Sequence, residues 1–398
     1  MYRPTEQLGV GCLDISPTEK KYVNEALDNN RLSYGPFSQS FERTFADIHE
    51  VRHAVLSNSG TSSLQVALAA LMEKYGWEPG DEVIVPAVTF IATSNVVIMM
   101  GLTPVFVDVD PKTYNLDPSK IEAAITPRTR CIMPVHLFGL PADMEPIMTI
   151  ARAHDLRVVE DSAETMFAKA YGKPVGSHGD IGCFSTYVAH FLVTGVGGLS
   201  VTDDDELAVM MRSLCNHGRD GIYLSIDDDK GKGGEELSLI VQKRFSFVRL
   251  GYSYRITELE AALGVGQLEV KDDIVRVRKD NAAHLIAGLQ DLEDAGLLQL
   301  PSTPHYADHA FMLFPIVVSS EAHERDALTL HLETNLVETR PMMPLINQPF
   351  YIERFGDLSA EFPVATWIND NGFYIGCHQG FGAQELDYII ATIHDFFA

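Results

Sequence analysis

Short β-branched runs alternate with helical patterns through the first half of the chain. Ala54-Val55-Leu56, Val83-Ile84-Val85, Pro104-Val105-Phe106-Val107, Cys131-Ile132-Met133, Val158-Val159, Gly182-Cys183-Phe184 and Leu199-Ser200-Val201 read as strands, because such side chains suit a pleated, buried surface. After the Gly60-Thr61 turn, Leu64, Leu68 and Leu71 recur at helical spacing. Upstream, Ser16-Pro17-Thr18-Glu19 has the capping serine, first-turn proline and returning glutamate of a helix start. Tyr22, Val23, Ala26 and Leu27 then supply its apolar stripe. Strands separated by helices predict an α/β fold with a mainly parallel seven-stranded sheet.

The pattern changes further on. Residues 227–236 are charged and glycine-rich and predict a mobile loop. A helical stretch from Thr257 to Ala295, stopped by Gly296, leads to a strand over Phe311–Val318. This divides the chain into an N-terminal segment with a large domain, 1–265, and a smaller C-terminal α/β domain, 266–398.

Composition narrows the function. With 398 residues and 46% hydrophobic content, the chain can bury a large core. A net charge of -25 repels nucleic acid and anionic membrane, so no partner of either kind is expected. No apolar run reaches the roughly 18–20 residues of a membrane span, and Met1-Tyr2-Arg3-Pro4 does not begin a signal peptide; a cytoplasmic location is expected. The five cysteines, Cys12, Cys131, Cys183, Cys215 and Cys377, are scattered and form no CxxC pair. They predict neither a disulfide framework nor a metal site.

Several residues carry candidate chemistry. Gly60-Thr61 opens a helix after a strand and can offer backbone N–H groups and a hydroxyl to a phosphate; alone, it reads as a tight turn plus cap. Asp161 ends the strand Arg157-Val158-Val159-Glu160, where ligand sites of open α/β sheets gather. An isolated aspartate there is otherwise a helix cap. Phe90 stands in an apolar segment, where an aromatic residue usually belongs to the core.

Register changes these readings. Ser59-Gly60-Thr61, Thr89-Phe90-Ile91-Ala92-Thr93, Val135-His136-Leu137-Phe138-Gly139, Glu160-Asp161, Ser185 and Gly251-Tyr252-Ser253-Tyr254-Arg255 resemble, in order and spacing, the DegT/StrS sugar aminotransferase family. Thr103–Asp110, Asn216–Asp220 and Glu338-Thr339-Arg340-Pro341 agree, so the resemblance spans nearly the whole chain. It implies a fold-type-I, pyridoxal-phosphate-dependent architecture and a homodimer with its active site at the subunit interface. It further implies that Gly60, Thr61 and Ser185 hold the cofactor phosphate, Phe90 covers its ring, Asp161 pairs with its pyridine nitrogen, and Ser253 and Arg255 reach the partner's phosphate.

The departures from the family pattern carry the functional reading. His190 stands where the family carries its cofactor-binding lysine. An amine can tether the cofactor covalently and move protons, whereas an imidazole only moves protons. Glu164 replaces the usual glutamine that bonds the cofactor's ring hydroxyl, Val196 replaces an acidic residue, Val188-Ala189 replaces Pro-Thr, and Ser253 replaces asparagine. Histidine with the acidic replacement resembles a branch of the family, the GDP-4-keto-6-deoxymannose 3-dehydratases.

The resemblance therefore implies a nucleotide-sugar 3-dehydratase of deoxysugar biosynthesis. Its untethered pyridoxal or pyridoxamine phosphate would be regenerated by an amino donor such as glutamate, with His190 as acid and base. The alternatives are an aminotransferase-like enzyme with different cofactor chemistry, a non-catalytic cofactor- or sugar-binding protein, and an engineered lysine-to-histidine trap. The accompanying changes at Glu164, Val188, Ala189 and Val196 argue against the trap. For a nucleotide diphosphate on so acidic a protein, Arg219, Arg255 and Arg340 are the candidate donors. His217 and His378 are candidates for the sugar site, although histidine commonly serves as a structural hydrogen-bonding residue.

Overall fold

The computed structural model describes residues 2–398 except 222, 223, 225, 226 and 344. All seven strands predicted in the first half are present and form one sheet: β1 (His53–Ser57), β2 (Glu82–Pro86), β3 (Thr103–Val107), β4 (Thr129–Ile132), β5 (Arg157–Asp161), β8 (Ile181–Ser185) and β9 (Gly198–Thr202). Their spatial order is β1-β9-β8-β5-β4-β2-β3. The run β8-β5-β4-β2-β3 is parallel, and β9 is antiparallel to both its neighbours. A small sheet joins β6 (Lys169–Ala170), β7 (Lys173–Pro174) and β11 (Ala307–Asp308). A third, antiparallel, contains β10 (Leu298–Gln299), β12 (Phe314–Val318), β13 (Arg340–Pro341) and β14 (Gly372–Ile375).

Helices bury the large sheet. Gly60–Tyr75 packs on it through Leu64, Leu68 and Leu71, which are fully or almost fully buried. Removing such side chains from water is the main favourable contribution to folding. Around the antiparallel sheet, helices Lys271–Asp294 and Ala383–Phe397 enclose a separate apolar cluster containing Leu285, Leu289, Phe314, Ile316 and Ile389. No described helix is long and apolar enough to cross a membrane.

The Ser16 capping box forms as expected and opens Pro17–Asp28. Three expectations require correction. The helical stretch from Thr257 is interrupted at Val270, whose ψ of 6° ends Glu258–Glu269 before Lys271–Asp294 begins. The first of these helices packs against the N-terminal helices Pro17–Asp28 and Pro36–Ile48. The second packs against Ala383–Phe397. Residues 234–236 are not loop but the first turn of the helix Gly234–Lys243; Glu235 and Glu236 suit a helix N-terminus electrostatically. Finally, the strand predicted from Phe311 begins at Phe314, because Phe311 adopts a positive φ of 52°.

Residues 265 and 266 both lie within Glu258–Glu269, so the proposed division cuts a helix rather than a linker. The N-terminal segment also crosses it. Leu8 N–H donates to Leu336 O at 2.7 Å, Glu338 N–H donates to Leu8 O at 3.0 Å, and Leu8 joins the apolar cluster of the antiparallel sheet.

Candidate active site

The C-terminal ends of the parallel strands bring most of the cofactor candidates to one edge. β1 leads to Gly60, β2 to Phe90, and β5 and β8 end at Asp161 and Ser185. Chain direction thus does much of the positioning, as in other open α/β sheets.

Ser59 caps the helix Gly60–Tyr75, its hydroxyl accepting from Ser62 N–H at 3.1 Å. Thr61 is a partly exposed first-turn residue. A Cβ on Gly60 would lie 2.7 Å from Ser185 Cβ, so only glycine allows the helix start and β8 to approach this closely. Gly198, at the start of β9, is equally constrained: a side chain would meet Ser59 O and Gly60 N. The result is a helix N-terminus with a serine hydroxyl beside it, donor chemistry that fits a phosphate.

Asp161 is buried. Its carboxylate accepts from Thr93 Oγ at 2.8 Å and Ala163 N–H at 3.1 Å. Burial pushes its pKa up, against the lowering effect of these donors. Two donors leave lone pairs for a further, cationic partner such as a pyridinium N–H. Thr89 Oγ lies 2.8 Å from Thr93 Oγ, and Thr93 N–H donates to Phe90 O. This links the Asp161 clamp to Phe90, whose ring is 58% exposed rather than placed in the core.

Behind Asp161, Glu160 and His136 are completely buried, with Nε2 and Oε2 3.0 Å apart. His136 Nδ1 accepts from Ala142 N–H at 2.9 Å, so Nε2 carries the proton and donates to Glu160. Gly176 and Gly179 N–H also donate to this carboxylate, at 2.8 and 2.7 Å. His136 N–H in turn holds Asp161 O at 3.0 Å.

Glu164 accepts from Phe138 N–H at 3.0 Å. Burial, aided by the Asp161 charge, raises its pKa to about 7 despite that bond. Near neutrality a substantial fraction is protonated and can donate a hydrogen bond, as a glutamine amide does.

His190 is partly buried, and its Nδ1 is enclosed without a partner. Burial lowers its pKa to about 4; the adjoining Ala163 and Ser185 backbone opposes this, while the charge on Arg278 contributes to it. The imidazole is therefore neutral at physiological pH, with a proton-accepting nitrogen available. Its loop is held by Thr186 and Thr194, whose hydroxyls lie 2.6 Å apart, while Val196 projects at 50% exposure.

A second cluster contains Ser253, Arg255 and His217. Arg255 Nη2 lies 3.1 Å from both Ser253 Oγ and His217 Nε2. Asn58 N–H donates to Tyr254 O at 2.7 Å, tying this exposed cluster to the loop before Gly60. Arg255 and Arg219 also line a cavity of about 750 Å³. Arg219 stacks over Phe245 and Phe247 and donates to Arg244 O.

The remaining two candidates lie elsewhere. Arg340 is on β13, paired with Glu338. His378 is buried against Phe381, with Nε2 at Gly9 O and Nδ1 accepting from Gly380 N–H. Both of its nitrogens are occupied within the protein, as in a structural histidine. Thr93 was not singled out as a site residue from sequence, although it falls within a recognised segment; its link to Asp161 depends on tertiary contact.

A helix N-terminus beside a serine, an incompletely occupied buried carboxylate, an exposed aromatic and an orphaned imidazole nitrogen fit a pyridine cofactor carrying a phosphate. Fold and pocket define a fold-type-I, pyridoxal-phosphate-dependent protein. The chain belongs to the DegT/DnrJ/EryC1/StrS aminotransferase family, whose pattern matches residues 13–394; it is a sugar-modifying enzyme of that family. It is 36% identical over 393 residues to a GDP-perosamine synthase of Caulobacter vibrioides, covering 97% of each chain. Over 391 residues it is 35% identical to the dTDP-4-dehydro-2,6-dideoxy-D-glucose 3-dehydratase of Saccharopolyspora spinosa, covering 94% of this chain and 83% of that protein. Among solved structures it is similar to E. coli GDP-4-keto-6-deoxy-D-mannose-3-dehydratase with bound hydrated PLP. That match has a TM-score of 0.85 and 26% identity, covering 98% of this chain and 99% of the other.

Proposed function

We propose that the protein is a 3-dehydratase of a nucleotide-linked 4-keto-6-deoxyhexose, using pyridoxal and pyridoxamine phosphate without a covalent tether. His190 in the family's lysine position is the observation that carries this reading. Gly60, Thr61 and Ser185 hold the phosphate, Phe90 lies over the ring, and Asp161 and Glu164 bond its nitrogen and hydroxyl. When bound as the amine, the cofactor supplies a nitrogen that condenses with the sugar ketone and a ring that accepts electron density.

The neutral His190 imidazole takes a proton at a ring nitrogen; once charged in its buried setting, it is a strong acid and returns that proton to the departing 3-hydroxyl. The 3-hydroxyl would leave as water, the two electrons of the deoxygenation would come from the amine form of the cofactor, and hydrolysis would release the nitrogen as ammonia. An amino donor such as glutamate would restore the amine form, leaving as its 2-oxo acid. His190 cannot tether the aldehyde form, so no lysine amine competes for it.

Ser253, Arg255 and His217 lie on an exposed face near an apolar patch that includes Phe245, 83% exposed, and Leu250, 89% exposed. A patch of this kind favours association, which supports a homodimer whose partner receives the Arg255 cluster. Arg219 serves the substrate diphosphate in the same region. Relatives named GDP-perosamine synthase favour a second reading, amination of the sugar.

The deciding experiment supplies the protein with pyridoxal phosphate, glutamate and a nucleotide-linked 4-keto-6-deoxyhexose, with mass analysis of the product. Dehydration is expected to release ammonia and a sugar lighter by one oxygen. A product that retains nitrogen decides for amination, and tight cofactor binding without turnover decides for a binding protein.

Glu164 gives a separate pH prediction. Its carboxyl donates to the cofactor's ring oxygen only when protonated, so cofactor affinity should fall as pH rises through about 7. In Glu164→Gln the donor persists, and titrations at pH 6 and pH 8 should give nearly equal affinities. An equal pH dependence in the two proteins would remove Glu164 from this role.

A further inference from the structure

Arg278 lies on the buried side of helix Lys271–Asp294 and is one of the largest fully enclosed side chains. Its Nη1 donates to Met312 O at 2.6 Å, and its guanidinium sits over the Phe191 ring, 5.0 Å from the centroid. Nε and Nη2 are buried without partners, and among the described residues no carboxylate forms an ion pair with it. An enclosed, uncompensated cation is costly to folding. Its place directly behind the residue following His190 gives that cost a use.

We propose that Arg278 is a positioning residue for His190, clamping Phe191 against Met312 and placing an unneutralised positive charge behind the imidazole. The inference rests on the reading of His190 as the proton-transfer group. Titratable groups on the surrounding elements are Asp161 at the end of β5 and Glu164 just beyond it, Tyr187 on the histidine's own loop, Cys12 on the N-terminal segment, and Cys377 and His378 beyond β14. Gly11 brings the N-terminal segment to Ala189, where its Cβ would approach within 3.1 Å of the backbone. The charge on Arg278 disfavours a proton on His190, and the stacking of its guanidinium on Phe191 fixes it next to the histidine along the chain.

The test follows the His190 titration itself. Protein labelled at histidine Cε1 and loaded with pyridoxal phosphate is titrated by NMR, with the resonance assigned by its loss in His190→Asn. Arg278→Met should move the His190 titration upward by about one unit, whereas Arg278→Lys, retaining the charge, should leave it near the wild-type value. Arg278→Gln, which can still donate to Met312 O, is a second uncharged variant should the methionine protein fail to fold. The acid limb of kcat/KM should shift in parallel. An unchanged His190 titration in the uncharged variants, or equal shifts in these and Arg278→Lys, would overturn the proposal. If the titration moves but the rate profile does not follow, the influence of Arg278 stands and the assignment of proton transfer to His190 falls.

Discussion

His190→Ala should reduce turnover on the order of 10³-fold while retaining the cofactor, because a positioned acid–base group contributes roughly 10²–10⁴-fold. The proposed phosphate cradle at Gly60 and Ser185 and the hydrogen bonds that hold Asp161 do not pass through the imidazole. Single-turnover measurements should therefore show a bound cofactor that no longer reacts. In the wild-type protein the base form dominates above pH 4 to 5, placing the His190 acid limb of kcat/KM near the bottom of that range. The converse substitution tests position as well as role. His190→Lys should give an adduct that borohydride makes permanent, located by mass spectrometry at residue 190; an untrappable cofactor would show that residue 190 does not face it.

The second large effect is on stability. Glu160→Gln should cost about 3 kcal/mol and lower Tm by several degrees, because the new amide places a donor among three existing ones. Burial works against the Glu160 charge, but the His136 side chain, His178 and the Gly179 N–H outweigh it and hold the pKa below the ordinary carboxylate range. A depressed folded-state pKa contributes stability fully present above the unfolded value of about 4.3 and lost as pH falls through the lower folded value. Denaturant melts of the two proteins should therefore differ most at neutral pH and converge as pH falls through the depressed folded value. A difference that stays constant until acid unfolding would show that the charge on Glu160 is not the source. Cofactor affinity should also weaken, since His136 holds the Asp161 carbonyl.

Much of the large domain was legible because its strands are short runs of buried β-branched residues whose ends carry recognisable punctuation. Gly60, Asp161 and Ser185 each fall at a strand or helix end, and the family resemblance implied that they meet around one cofactor. The late start of the strand at Phe314 and the helix break at Val270 were not legible. Both depend on tertiary packing, the first on the antiparallel sheet and the second on the different partners of the two helices, and local apolar patterns are indifferent to a single residue's φ or ψ. Gly234 was hidden for a different reason: Gly-Gly-Glu-Glu reads equally as a charged loop or as an acidic helix start, and only the burial of Ile240 further along decides.

Sequence by itself determined the family and the α/β architecture, and it set a histidine at residue 190 within a segment that resembles the family's cofactor-lysine segment, since each is a matter of residue type and order. Tertiary structure decided the protonation chemistry. Glu164 is drawn toward neutrality, Glu160 is held charged, and His190 is kept neutral by burial and by groups distant in sequence. Arg278 shows the difference most clearly: on the helix it is one arginine within an apolar stripe, and only packing places its charge behind His190. A charge's effect depends on distance and on excluded water, and folding alone sets both.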